Sequence, residues 1–171
     1  VLLARGAAQV VALDVGHNQL HRSLAEDPRV IRCDGVNIKE VTSEWWQTLC
    51  DEQPHLVVVD VSFISLTQVF MPATRVWPKA HWVALIKPQF EARRSQIGAK
   101  GVVRDPAVHE EVIARVIDGA GTMGWEYVRH TVSPIKGAKE GNTEFLALFN
   151  RTGEEMPWPQ PAPEKEKPAE S

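Results

Sequence analysis

The stretch "HLVVVDVSFISL" (residues 55–66) changes character halfway along. Its first part, His55–Val61, is apolar and rich in valine, and reads as a buried strand. Ser65 can then open a helix running to Trp77, with a kink or early break expected at Pro72. Trp82–Lys87 is the next strand. Strand, helix and strand in succession point to a parallel β-α-β unit, and the same alternation runs outward on both sides. Upstream lie a strand at Gln9–Val15, a short helix at His17–Glu26 and a strand at Val30–Cys33. A further helix, through "EWWQTLCDE", is capped by Thr42 or Ser43. Downstream, Gln89–Arg104 has no clear period and reads as a long basic loop. Asp105-Pro106 opens a helix with Val108, Val112, Ile113, Val116 and Ile117 on its apolar stripe. Strands follow at Trp125–Val132 and Thr143–Asn150. The loop between these two is too short for a crossover helix, so they should be antiparallel. The expected fold is α/β, a mostly parallel doubly wound sheet with an antiparallel last strand.

Composition narrows the functional classes. The chain has 171 residues, 43% hydrophobic and 24% charged, with a net charge of −3. This suits one soluble domain. It provides no global basic field, so nucleic-acid contact would need a local patch. Cys33 and Cys50 lack C-x-x-C spacing, and form neither a disulfide framework nor a zinc site. They read as reduced thiols of a cytoplasmic protein. No apolar run approaches the ~18 residues of a membrane span, and no signal-peptide pattern is present. The opening "VLLARG" resembles the last turns of a helix capped by Gly6, from which a further N-terminal segment is expected. Residues 152–171 hold five prolines between 157 and 168 and little apolar content, and read as a disordered tail.

In open α/β sheets, ligands bind at the carboxyl ends of the strands. Asp14 closes the first strand there, placed to accept hydrogen bonds from the ribose hydroxyls of NAD or S-adenosylmethionine, or to cap the next helix. Asp34 and Asn37, after the next strand, could meet an adenine edge. Asp60 interrupts an otherwise apolar run, so burial would demand a partner. Lys87, one strand over and held extended by Pro88, is that partner. A buried ion pair is weak evidence of a stabilising role, which favours a chemical one. The antiparallel last strand begins where its neighbours end and could bring Glu144 near Lys87. Arg93, Arg94, Lys100 and Arg104 form the best local basic patch, suited to RNA phosphates.

The segments "ALDVG", "PRV", "LVVVDVSFISL", "ALIKPQFEA", "KGVVRDPAVHEEV" and "SPIKGAKEGNTEFL", in this order and spacing, resemble the TlyA family of FtsJ-like RNA methyltransferases, also called haemolysin A. The resemblance covers about residues 1 to 150. It implies a Rossmann-like methyltransferase domain over 1–151 that uses S-adenosylmethionine, preceded by an S4-type RNA-binding domain. It implies ribosomal RNA or ribosomal subunits as partner, ribose 2′-hydroxyls as target, and no metal. The FtsJ-like pattern has a Lys-Asp-Lys-Glu tetrad. By resemblance Asp60 is its Asp, Lys87 its second Lys and Glu144 its Glu. Asp14 and Val15 match the ribose-binding segment, and Val36 and Asn37 the adenine-side segment, with Asp34 and Asp60 also at the cofactor. The first lysine, the first sheet strand with its glycine-rich turn, and the S4 domain have no counterpart within residues 1–171. An amine taken out of water can act as a general base near neutral pH, the task implied for Lys87.

Other readings are weaker. Amino-group methyltransferases often carry Asp/Asn-Pro-Pro-Tyr/Phe, where this chain has Asp60-Val61-Ser62-Phe63. An NAD-dependent oxidoreductase would explain Asp14 but not the other three residues. A membrane-lytic protein would need a basic amphipathic segment that is not evident. A non-catalytic rRNA-binding module would not require the acids and the lysine together. Oligomeric state is left open.

Overall fold

The computed structural model describes residues 1–137, 141–151 and 153. Six strands form, β1 (Val10–Asp14), β2 (Val30–Asp34), β3 (Leu56–Val59), β4 (His81–Ile86), β5 (Trp125–Val132) and β6 (Phe145–Arg151). Five helices accompany them, α1 (Arg22–Ala25), α2 (Ser43–Gln47), α3 (Leu66–Val76), α4 (Pro88–Glu91) and α5 (Pro106–Gly121).

The strands make two sheets among the described residues. In one, β1 and β2 run parallel. In the other the order is β3-β4-β6-β5. Within it β3 and β4 are parallel, and β6 is antiparallel to both β4 and β5. The antiparallel end is as the short connection requires. Between β1 and β3 there is no ladder. Their facing edges instead bound a cleft of about 760 Å³, lined by Val10–Asp14, Leu56–Val61, Trp46, Trp77 and Trp82 among others.

The core lies on one face of the larger sheet. Trp82, Ala84 and Ile86 of β4 and Phe145, Ala147 and Phe149 of β6 alternate inward. They meet Leu66, Val69, Phe70, Ala73 and Val76 of α3 and Val112, Ile113 and Val116 of α5. Burial thus alternates along the strands and follows one stripe of each helix, the period-two and period-3.6 geometry of these elements. The packing overrides Pro72, which sits inside a continuous α3 instead of breaking it. The apolar stripe on both sides of Pro72 is anchored, so the lost backbone bond does not end the helix.

Two other expectations need correction. The helix foreseen over His17–Glu26 is a single turn at Arg22–Ala25, capped by the His21 side chain. Its two leucines are too few to anchor more. Gln89–Arg104 is not a plain loop. It contains the end of α4 and 3-10 turns at Arg94–Gln96 and Ala99–Gly101. Side chains hold it: the Gln96 amide donates to Glu111, and Asn142 accepts from Val103 N and donates to Gly101 O, at 3.0 and 3.1 Å. At the other end, Gly6 caps a 3-10 turn over Leu3–Arg5 in left-handed conformation, as expected of a C-terminal cap. The tail foreseen over 152–171 lies outside the described residues, Gly153 excepted.

Candidate active site

Asp60 follows β3 and Lys87 follows β4, each at a carboxyl end. Because β3 and β4 are parallel neighbours, with Val59 opposite Ala84, the two residues emerge on the same rim. Lys87 Nζ lies 2.6 Å from Asp60 Oδ1 and donates to Ser62 Oγ at 3.3 Å. The burial of this pair is lopsided. The Lys87 side chain is 13% exposed, that of Asp60 64%. The expectation of a buried Asp60 is therefore wrong. Its strand has a neighbour on one side only, and its other side faces the cleft. The more enclosed member of the pair is the lysine side chain.

Glu144 is buried, as a solvent-facing residue would not be. It precedes β6, whose Phe145 pairs with Ile86, so the register puts Glu144 beside Lys87 at the next rung. Its described partner is nonetheless the Gln89 amide, which donates to Glu144 Oε1 at 2.9 Å. Glu144 thus reaches the Lys87 segment through Gln89. A side chain on Gly137 would meet Glu144 Oε1 at 2.9 Å, so the turn before β6 packs directly on the carboxylate.

The other acids gather on the smaller sheet. Asp14 and Asp34 are register partners at the ends of β1 and β2. Asp14 Oδ1 accepts from Gly16 N at 2.7 Å, and Asp34 Oδ2 accepts from Asn18 N at 3.0 Å. Val36 N donates to the Asp14 carbonyl at 3.0 Å, tying the two strand-end loops together. Val15 is exposed beside them. Asn37 caps the following 3-10 turn by accepting from Lys39 N. Asp14, Asp34 and Asp60 all line the one cleft, so the two sheets present their acids to a shared space. The donor set suits a nucleoside: paired carboxylates for hydroxyls, apolar Val11, Leu13 and Val57 for a ring.

Of the basic patch, Arg94, Lys100 and Arg104 are exposed. Arg93 has an acidic partner, Glu111, at 3.6 Å. Glu111 is held below the usual carboxylate range by the Gln96 amide first, then by Arg93 and Arg115.

Several neighbours of Lys87 escaped the sequence reading. Ser62 was visible only as the second residue after Asp60. Phe63 is 90% exposed and holds φ at +63°, a conformation that bulky residues rarely adopt, with its ring 4.9 Å from that of Phe90. Such backbone outliers gather at functional sites. Glu91 is buried and accepts from Ser65 and Leu66. In "KPQFEARR" it reads as one surface charge among several.

The FtsJ-like methyltransferase family model matches residues 1–151. The chain belongs to that family. Among its relatives, Hemolysin A of Brachyspira hyodysenteriae is 43% identical over 152 residues, covering 86% of this chain and 60% of that protein. The 16S/23S rRNA (cytidine-2′-O)-methyltransferase TlyA of Mycobacterium tuberculosis is 42% identical over 153 residues, covering 89% of this chain and 55% of that protein. A crystal structure described as a hemolysin from Lactococcus lactis superposes with a TM-score of 0.82 at 39% identity, over 90% of this chain and 72% of that one. The chain thus spans little more than half the length of the two curated relatives. The FtsJ-like fold agrees with the α/β architecture above, its parallel β3–β4 pair and its antiparallel last strand. No described helix is long and apolar enough to cross a membrane.

Proposed function

We propose that this FtsJ-like chain carries the catalytic site of an rRNA 2′-O-methyltransferase that uses S-adenosylmethionine, with cytidine ribose as target. The observation that carries the reading is the 2.6 Å contact between the amine of a largely buried Lys87 side chain and Asp60 at adjacent strand ends. A ribose hydroxyl is a weak nucleophile until its proton is removed. In its neutral form the Lys87 amine has two N–H groups. With these directed at Asp60 and Ser62, its lone pair is left to take the hydroxyl proton. Glu144, through Gln89, fixes the segment that bears the amine. S-adenosylmethionine, when bound, supplies the methyl group. Asp14 would hold its ribose hydroxyls, Val15, Asp34, Val36 and Asn37 its adenosine side, and Asp60 its end nearest the amine. Phe63, next to Ser62 in sequence, presents an exposed aromatic ring, on which a base can stack.

Methyl transfer from labelled S-adenosylmethionine to rRNA by the full-length protein, followed by mapping of the modified nucleotide, tests this reading. Label at a 2′-O-methylcytidine supports it. Label on a base nitrogen or carbon, or none, refutes it.

The ribose assignment has its own test. Asp14→Ala should weaken S-adenosylmethionine binding in the full-length protein by about 2–3 kcal/mol, taking each of two hydrogen bonds to the ribose as somewhat stronger than a neutral one, while saturated turnover falls less. Calorimetry giving an unchanged affinity would refute the assignment.

The RNA contact proposed for Arg93, Arg94, Lys100 and Arg104 predicts a salt effect. Replacing Arg93 and Arg94 together by alanine should flatten the slope of log affinity against log salt by about one to two units, since each phosphate contact contributes somewhat less than one. Arg93 must leave Glu111 to make its contact, which puts the expectation at the lower end. An unchanged slope would mean that these arginines only solvate the surface.

The cleft between β1 and β3 is proposed to receive a parallel strand from outside residues 1–171. That strand would join the two sheets, and its turn would approach the cofactor beside Asp14. An N-terminal RNA-binding domain of the S4 type is proposed to belong to the whole protein. Both fit the greater length of the relatives.

A further inference from the structure

The geometry points to Glu91 as a positioning residue of the methyl-transfer site, one that holds the loop bearing Asp60 and Ser62 against the segment bearing Lys87. The inference rests on the reading of Lys87 as the base and adds a residue to that site.

Glu91 is 8% exposed. A carboxylate in such a place is costly unless both oxygens are occupied, and both are. Oε2 accepts from Ser65 Oγ and Oε1 from Leu66 N, each at 2.7 Å. Ser65 and Leu66 begin α3, so the carboxylate sits at a helix N-terminus, where negative charge is favoured. Burial raises its proton affinity and the two hydrogen bonds oppose that.

Capping alone does not account for this arrangement. Ser65 already caps α3 by accepting from Thr67 N, and a local residue could have supplied any second cap. Glu91 instead reaches across from the next strand's loop. It stands four residues after Lys87, while its partners stand five and six residues after Asp60. The bridge therefore joins the only two loops that hold the ion pair. Two more contacts brace the same junction. Phe90, beside Glu91, meets Phe63 across it. From α5, Arg115 donates to the Glu91 carbonyl at 2.7 Å, fixing the end of α4. Lys87 is the residue that precedes α4, in extended conformation and without a capping bond of its own. Its amine is thus aimed by a turn whose far end Glu91 pins. Without the carboxylate, Leu66 N and Ser65 Oγ lose their acceptor, and the segment carrying Phe63 in left-handed backbone is free to relax away from Lys87.

The test uses the full-length protein and rRNA, with Glu91→Ala, Glu91→Gln and Ser65→Ala compared with wild type well below each variant's melting temperature. Glu91→Ala should lower kcat on the order of 10–100-fold, the usual effect of misplacing a reacting group by a fraction of an ångström to an ångström, with the KM for S-adenosylmethionine rising no more than a few fold, because Asp14 and Asp34 lie on the other sheet and only Asp60 meets the cofactor from the loop that shifts. Glu91→Gln keeps one acceptor and should recover part of kcat. Ser65→Ala, which removes one of the two bonds, should fall between Glu91→Ala and wild type and covers the case in which Glu91→Ala does not fold. Variants that melt earlier but keep wild-type kcat would overturn the inference and leave Glu91 a helix cap. A matched loss in kcat and cofactor affinity would overturn it too. Absence of methyl transfer in the wild type would instead refute the functional reading itself.

Discussion

Lys87→Ala in the full-length protein is expected to lower methyl transfer by about 10²–10⁴-fold, the contribution of a positioned general base, while S-adenosylmethionine affinity stays within a few fold. The reason is local. The amine touches Asp60 and Ser62, and Asp14 and Asp34, the acids proposed to hold the cofactor, stand on the other sheet. Truncation removes the group proposed to take the proton and leaves the cleft lined by Asp14 and Asp34 intact. Lys87→Arg should fail as well. Arginine is effectively always charged and cannot accept a proton, and its larger head would have to enter a site where the lysine is 13% exposed. Single-turnover measurement with saturating cofactor isolates the chemical step. Transfer near the wild-type rate in either variant would remove Lys87 from the reaction.

The second large effect concerns residues 1–171 expressed by themselves. Neither β1 nor β3 has a strand on its inner edge among the described residues, so two rows of backbone donors and acceptors face the cleft. The walls there are apolar, and the indole N–H groups of Trp77 and Trp82 are buried at them without an acceptor. The Asp14–Asp34 half is thus held to the Asp60–Lys87 half by side-chain packing and not by a ladder. This chain alone should show little affinity for S-adenosylmethionine, a broad or absent thermal transition, and a tendency to associate through the open edges. Thermal melting with and without S-adenosylmethionine decides it. Binding to a native state must raise its melting temperature, so a cooperative transition that moves upward with cofactor would contradict the expectation.

The fold was legible where the pattern is local. Trp82–Lys87 and Thr143–Asn150 are short apolar runs that read as strands, Asp105-Pro106 opens α5, and a short connection forces β6 to run antiparallel to β5. The Asp60–Lys87 contact was legible because a β-α-β unit places successive strand ends side by side. What was not legible depends on neighbours distant in sequence. Pro72 read as a kink or an early break, and α3 runs on through it because of a hold by β4, β6 and α5 that the sequence does not display. Asp60 looked buried because an apolar strand gives no sign of whether its second edge is paired. Glu144 follows on the register that pairs Phe145 with Ile86, but its partner, the Gln89 amide, is a matter of side-chain direction. Glu91 lies in a run of charges that reads as solvated surface, and only its two partners at the start of α3 distinguish it.

The position of β6 also bears on how the molecule is made. It is the last strand in sequence, yet it stands between β4 and β5, which do not pair with each other. A chain emerging from the ribosome can form the β3-α3-β4 unit early, because those contacts are near in sequence. Until Arg151 has been synthesised, however, β5 has no partner strand and β4 keeps an open edge. Contacts between segments so far apart form slowly, and unpaired edges are where nascent chains associate wrongly. Glu144 arrives with this same closing strand. The completed rim of Asp60, Lys87 and Glu144 and the sealed sheet are therefore products of one late event, and a chain cut short before that point has neither.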